Sequence, residues 1–174
     1  MAKQRDLDVG VSWQEISKLC GFPSVAHVNR ALRLTGSKRI NDDLACPTDT
    51  AKLLKLCGEQ HIFIPDEGRL SPVSELSLIR FLKALGHGEV VGADHFGSSP
   101  KPINPESLSL PEAYATPEMY ARDKSIYMSI YIDYHYFLIC QTDASRAKAN
   151  PSELFEGFFS DESTNDHWGI GDLA

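Results

Sequence analysis

The chain has 174 residues, 42% of them hydrophobic and 24% charged, with a formal net charge of −7. That length and balance describe one domain or two small lobes able to bury about two-thirds of the unfolded surface, which excludes a disordered chain or one that depends on metal or disulfides to fold. No apolar run approaches the ~20 residues of a membrane helix, and the opening MAKQRDLDVG lacks the apolar segment of a signal peptide, so a cytoplasmic protein is expected.

In chain order, Ser12-Trp13-Gln14-Glu15 has the S-x-x-E form of a capping box. It predicts a helix with Trp13, Ile16, Leu19 and Cys20 on the inner face and Gly21 as its stop. Ser24 is placed to cap a second helix carrying Val25, Val28 and Leu32 on one side, ended by Gly36. A third is expected from Thr48 or Asp49 to Gly58, with Ala51, Leu54 and Leu56 inward. His61–Ile64 reads as a short strand closed by the turn Pro65-Asp66-Glu67-Gly68. Ser71-Pro72 opens the clearest helix, since proline is favourable at the first helical position. Leu78, Phe81, Leu82 and Leu85 follow helical spacing, and Gly86 ends it. Glu89–Ala93 reads as a strand. Between Gly97 and Pro117 five prolines and several serines predict a stiff, irregular connection. Asn150-Pro151 predicts a last short helix through Phe155.

The longest signal is Ser125–Thr142, rich in aromatic and β-branched residues and free of glycine and proline, which reads as one strand. Side chains alternate across a strand. One face would carry Ile126, Met128, Ile130, Ile132, Tyr134, Tyr136, Leu138 and Cys140 against a core. The other would carry Tyr127, Ser129, Tyr131, Asp133, His135, Phe137 and Ile139, setting a carboxylate beside an imidazole among aromatics. The fold class expected is α+β: an N-terminal helical layer packed with a small, mainly antiparallel sheet centred on residues 125–142. The expected division is a mostly helical lobe over 1–96, the proline-rich connection over 97–118 and a β-rich lobe over 119–174, forming one compact domain.

Charge sharpens the functional reading. Residues 1–40 hold seven Lys/Arg against three Asp/Glu, whereas the remainder holds ten against twenty-one. After Lys148 there is no Lys or Arg, while Glu153, Glu156, Asp161, Glu162, Asp166 and Asp172 accumulate. Such an end repels nucleic acid and favours fast encounter with a basic partner. Phe158, Phe159 and Trp168 alternate with these acids and would supply aromatic anchors ringed by carboxylates. Phe155, Phe158, Phe159 and Trp168 can equally close a core. Tyr131, Asp133 and His135 on the open strand face would extend the surface.

Three other chemistries have candidate residues in the sequence. Residues 12–35 resemble the turn of a DNA-binding helix-turn-helix, with His27, Asn29, Arg30 and Arg33 placed to reach a groove or phosphates. A packed hairpin reads the same way, and the acidic remainder opposes phosphate contact. The pairs Asp94-His95, Asp133 with His135, and Asp166-His167 would suit a metal or acid/base centre if they converged, but none forms a helix-borne metal motif. Cys20, Cys46, Cys57 and Cys140 are widely spaced with no CxxC, so reduced, partly buried thiols are expected rather than zinc. No Gly-x-Ser-x-Gly elbow occurs, and the short glycine repeats at Gly86-His87-Gly88 and Gly169-Ile170-Gly171 miss phosphate-loop spacing.

The segments SWQEISKLCGF, FIPDEG, GHGEVVGADHFG, DYHYFL and FEGFFSDESTNDHW, in that order over most of the chain, resemble an uncharacterised bacterial family of small cytoplasmic proteins catalogued as a domain of unknown function. In class they look like toxin-immunity proteins. The expectation is a non-enzymatic, antitoxin-like inhibitor of a basic effector toxin, without cofactor or metal. Its binding residues would be Tyr131, Asp133, His135, Glu153, Glu156, Phe158, Phe159, Asp161, Glu162, Asp166 and Trp168.

Overall fold

A computed structural model describes residues 10–36, 45–108, 116–130 and 135–164. The architecture is α+β: helices gathered mostly toward the N-terminus, and a five-stranded, wholly antiparallel sheet. Contacts group Val11–Glu67 with Glu156 onward as one unit, and Gly68–Phe155 as another. The chain thus divides at Gly68 and Glu156, so the Ser71-Pro72 helix and part of the proline-rich stretch belong to the sheet unit. Each unit has its own hydrophobic core.

The helical unit is built from α1 (Trp13–Cys20), α2 (Val25–Leu32) and α3 (Pro47–Gln60). Ser12 caps α1 as expected, its hydroxyl accepting from the Glu15 N–H at 3.0 Å, and Gly21 ends the helix in the left-handed conformation that costs a glycine little. Ser24 precedes α2 without capping it, because its hydroxyl meets His27 Nδ1 at 3.1 Å instead. Helix α3 runs through Gly58 and stops at His61, whose φ is 55°. There the Ile62 N–H donates back to the Cys57 carbonyl at 2.9 Å, and Ile62 packs on the core that includes Cys57. This hydrophobic Schellman-type ending outweighs the ~1 kcal/mol that a mid-helix glycine costs. The strand expected at His61–Ile64 is therefore absent: those residues leave the helix as irregular chain. Ile16, Phe22, Val28, Ala31, Leu32, Leu53 and Cys57 form the buried core.

The sheet unit begins with α4 (Pro72–Leu85), capped by Ser71 and ended by Gly86 as the sequence predicts. Leu78, Phe81, Leu82 and Leu85 are buried, each worth about 1.5–3 kcal/mol of hydrophobic transfer. They share a core with residues from all five strands: β1 (Val90–Ala93), β2 (Lys101–Ile103), β3 (Glu118–Tyr120), β4 (Ile126–Ile130) and β5 (Phe137–Gln141). The sheet order is β2-β1-β3-β4-β5. Two strands were not anticipated, β2 inside the proline-rich connection and β3 after it. A helix, α5 (Asp143–Lys148), also follows β5, capped by the Thr142 hydroxyl on the Ser145 N–H.

The single strand expected over Ser125–Thr142 is instead a hairpin. β4 and β5 pair antiparallel from Ile126↔Gln141 to Ile130↔Phe137. Reversal across an odd register exchanges parity: Phe137 and Ile139 join Met128 and Ile130 on the core side, while Cys140 is exposed beside Tyr127. A strand of the expected length would outrun the five or six residues a small sheet covers, and folding back buries two more large side chains. His135 lies just ahead of β5, not within a strand, and Tyr131 and Asp133 lie outside the described residues.

Candidate partner-binding segment

The C-terminal segment is assembled from local hydrogen bonds. Asn150 caps a short 3-10 turn at Pro151–Glu153 by accepting from the Ser152 N–H, in place of the longer helix expected through Phe155. The Phe155 N–H returns to the Pro151 carbonyl at 2.9 Å. This turns Phe155 inward, edge-on to Phe81 at 5.7 Å and to Phe137 at 5.1 Å. Phe155 thereby belongs to the sheet core, as one reading of the aromatic run allowed. Glu153 is exposed on the same unit, and His135 is half-buried there.

Beyond Phe155 the chain joins the helical unit. The Glu156 carboxylate accepts from the backbone N–H groups of Trp13, at 2.6 Å, and Gln14, at 3.1 Å. These first-turn amides have no partner inside their own helix, and the positive end of the helix dipole favours an anion. Phe158 and Phe159 follow with 61% and 55% of their surfaces exposed. Asp161 Oδ1 then accepts from the Ser163 N–H and hydroxyl and from the Thr164 hydroxyl, while the Asp161 N–H donates to Thr164 Oγ1. The Ser163 hydroxyl bond, first among these, holds the Asp161 carboxyl below the usual range and keeps it charged. Glu162 is exposed on the same turn. Five of the sequence-derived residues, Glu156, Phe158, Phe159, Asp161 and Glu162, thus share one unit. Asp166 and Trp168 lie outside the described residues.

The residues of the alternative chemistries are engaged otherwise. Arg30 forks onto Asp49 Oδ2 through Nη2 at 2.6 Å and Nε at 3.1 Å, with the side chains 18% and 9% exposed. Arg33 is buried. His27 stacks on Phe22 with ring centroids 6.1 Å apart. Arg30 thus ties α2 to α3, and His27 packs within the α1–α2 hairpin. Asp94 accepts from the backbone N–H groups of Phe96 and Ser98 and so folds its own loop. Among the described residues no group of three or more His, Cys, Asp or Glu side chains is placed to hold a metal. The four cysteines are free thiols. Burial pushes the Cys57 thiol up, and burial followed by the neighbouring Cys57 does the same to Cys20. Neither is activated as a nucleophile.

One polar cluster went unread in the sequence. Ser125 Oγ lies 2.6 Å from Asp123 Oδ1 and 3.0 Å from His87 Nε2. A carboxylate only accepts, so the Ser125 hydroxyl donates to Asp123, and His87 Nε2–H donates to Ser125. A serine nucleophile would need the opposite polarity, with its proton directed to the imidazole. The cluster instead fixes the β3–β4 turn, where Lys124 has a φ of 60°. The Ser125 hydroxyl bond, first among several causes, holds the exposed Asp123 carboxyl below its usual value. A histidine 38 positions from its partner leaves no local sequence signal.

No described helix is long and apolar enough to cross a membrane. No curated protein and no solved structure matches the chain. A match over residues 7–170, almost the full length, places the chain in the family described as Protein of unknown function (DUF2711).

Proposed function

We propose that the chain is a non-enzymatic binding protein, an immunity- or antitoxin-like inhibitor that lays the Glu156–Glu162 surface over a basic effector. The observation that carries this reading is the pair of adjacent phenylalanines, each more than half exposed, followed in the chain by the exposed carboxylates of Asp161 and Glu162. Apolar rings at the centre of an interface supply most of the affinity, and surrounding carboxylates speed encounter with a cationic surface. The absence of Lys and Arg after Lys148 leaves nothing basic in that stretch of sequence to oppose such a partner. Glu156 has a different part from the one expected of it: its carboxylate is held by α1, so it anchors the segment that carries the phenylalanines. Asp166 and Trp168, which continue the same acidic and aromatic stretch of sequence, would extend the surface.

The test is co-expression with the product of the neighbouring reading frame. The reading expects that product to arrest growth alone, the chain to restore growth, and the double variant Phe158→Ala, Phe159→Ala to lose the rescue. Glu162→Lys should slow association several-fold at low salt and much less at high salt. Rescue that is indifferent to both phenylalanines and to Glu162 would remove this surface from the function.

A further inference from the structure

We infer that β5 is a docking edge at which two copies of this chain pair, β5 against β5, antiparallel about Ile139. The described sheet has two edges, β2 and β5. β2 is Lys101-Pro102-Ile103, with Lys101 and Pro102 exposed. A lysine and a residue without an N–H are the usual means of blunting an edge against further pairing. β5 is Phe137-Leu138-Ile139-Cys140-Gln141, without charge, proline or glycine, and its register to β4 is unbroken by any bulge. Nothing in its sequence discourages another strand.

The main chain of β5 is set for that strand. The Thr142 N–H donates to the Ser125 carbonyl at 3.1 Å, making this a hydrogen-bonded pair of the antiparallel ladder. Such pairs alternate, so Tyr127–Cys140 and Ser129–Leu138 bond in the same way. Phe137, Ile139 and Gln141 therefore turn their N–H and C=O groups away from β4, and no described backbone group bonds to them there. The core-side residues of β5 are only half-buried, whereas Ile126, Met128 and Ile130 of β4 are buried.

A second copy fits this edge by charge and by symmetry. With the two-fold axis at Ile139, Phe137 opposes Gln141 and Leu138 opposes Cys140, so every pair is neutral. A chain of net charge −7 repels itself over most of its surface, and this uncharged strand is followed by α5, where Asp143 is outnumbered by Arg146 and Lys148. A basic partner would find no carboxylate in β5, which separates this edge from the surface proposed above. A closed two-fold pairing also leaves no further edge to propagate.

Sedimentation equilibrium of the full chain over ~1–500 µM tests the proposal, a range suited to a short strand pairing. A monomer–dimer equilibrium is expected. Ile139→Pro removes the outward donor while sparing the β4 ladder, and should weaken dimerisation about 10- to 100-fold. Should that variant fail to fold, Cys140→Lys sets like charges across the axis from an exposed position and should weaken it in a salt-dependent way. Residues 138 and 140 of opposite copies form a narrow, non-hydrogen-bonded pair with Cα atoms ~4.5 Å apart, within disulfide reach. Leu138→Cys should thus give a covalent dimer under mild oxidation, lost when Cys140→Ser is added. A monomer throughout the range, or a dimer indifferent to Ile139→Pro and cross-linking equally without Cys140, would overturn the inference.

Discussion

Glu156 Oε2 accepts a hydrogen bond from the backbone N–H of Trp13 at 2.6 Å, joining positions 143 residues apart in the chain. Its second oxygen takes the Gln14 N–H. Ser12 already serves the Glu15 N–H, so one carboxylate and one hydroxyl satisfy three successive first-turn donors of α1. A tail residue therefore completes the start of α1 and fixes where Phe158 and Phe159 leave it.

Glu156→Ala should lower stability by about 1 kcal/mol, the usual worth of an N-terminal cap. Glu156→Gln keeps an acceptor but loses the charge, and should cost less. Hydrogen exchange at the Trp13 and Gln14 amides is the direct readout. Both should exchange faster in Glu156→Ala, while amides of the sheet core stay unchanged. Equal protection in the variant would mean that the carboxylate is not their partner in solution.

A second prediction concerns Glu75, which lies on the buried stripe of α4 with 4% of its surface exposed. Burial pushes its carboxyl up to about 7. The residue sits in the first turn of α4, where the helix dipole favours the anion by ~0.3–1 kcal/mol, yet burial wins. The native state then keeps a proton that the unfolded state has released, so stability falls as pH rises from about 4.5 through about 7. The accumulated loss is about 3 kcal/mol above that window, and nothing is lost below it. Glu75→Gln should remove this slope and be the more stable protein at pH 8. Parallel denaturant titrations of both proteins at pH 5 and pH 8 check it; equal pH dependence would show that Glu75 is solvated.

What the sequence made legible follows the range of the forces involved. Caps and helical spacing are local, so α1 and α4 could be read with their stops at Gly21 and Gly86. The end of α3 depends on Ile62 folding back toward Cys57, so Gly58 misled. The hairpin of β4 and β5 was hidden because both strands are apolar and no glycine or proline marks the reversal. Alternation read across it put Phe137 and Ile139 on the wrong face. β2 and β3 are three residues each, too short for periodicity, and exist because β1 and β4 offer edges. Of the candidate surface, whose phenylalanines could equally have closed a core, only the acidic and aromatic character was legible from composition. The anchoring of Glu156 and the engagement of Arg30 were not, since their partners lie far away in the chain.

The Arg30–Asp49 pair makes a third prediction. Both side chains are largely removed from water. Asp49→Ala deletes the carboxylate oxygen that takes two of the guanidinium N–H groups and should cost about 1.5–3 kcal/mol. Arg30→Met, Asp49→Leu, an apolar replacement of both, should recover much of that loss. A double-mutant cycle by urea denaturation measures the coupling, and additive losses would reduce the pair to a surface contact.

The fourth prediction tests how tightly the sheet unit is packed. Gly92 of β1 lies opposite Met119 of β3, and a Cβ there would run into Ile103 Cδ1 and Thr116 Cγ2. Both neighbours are buried, and Thr116 is almost wholly so. Both atoms belong to buried side chains, so one methyl group forces the strands or the rotamers to give. Gly92→Ala should therefore destabilise by about 1–3 kcal/mol, although alanine ordinarily suits a strand better than glycine. Adding Ile103→Val deletes the methyl group at the collision and should return part of the loss, which a volume argument requires and a backbone-entropy argument does not. Thermal melts of the single and double variants decide between them: a single variant as stable as the parent would show that β1 and β2 have room the packing does not display.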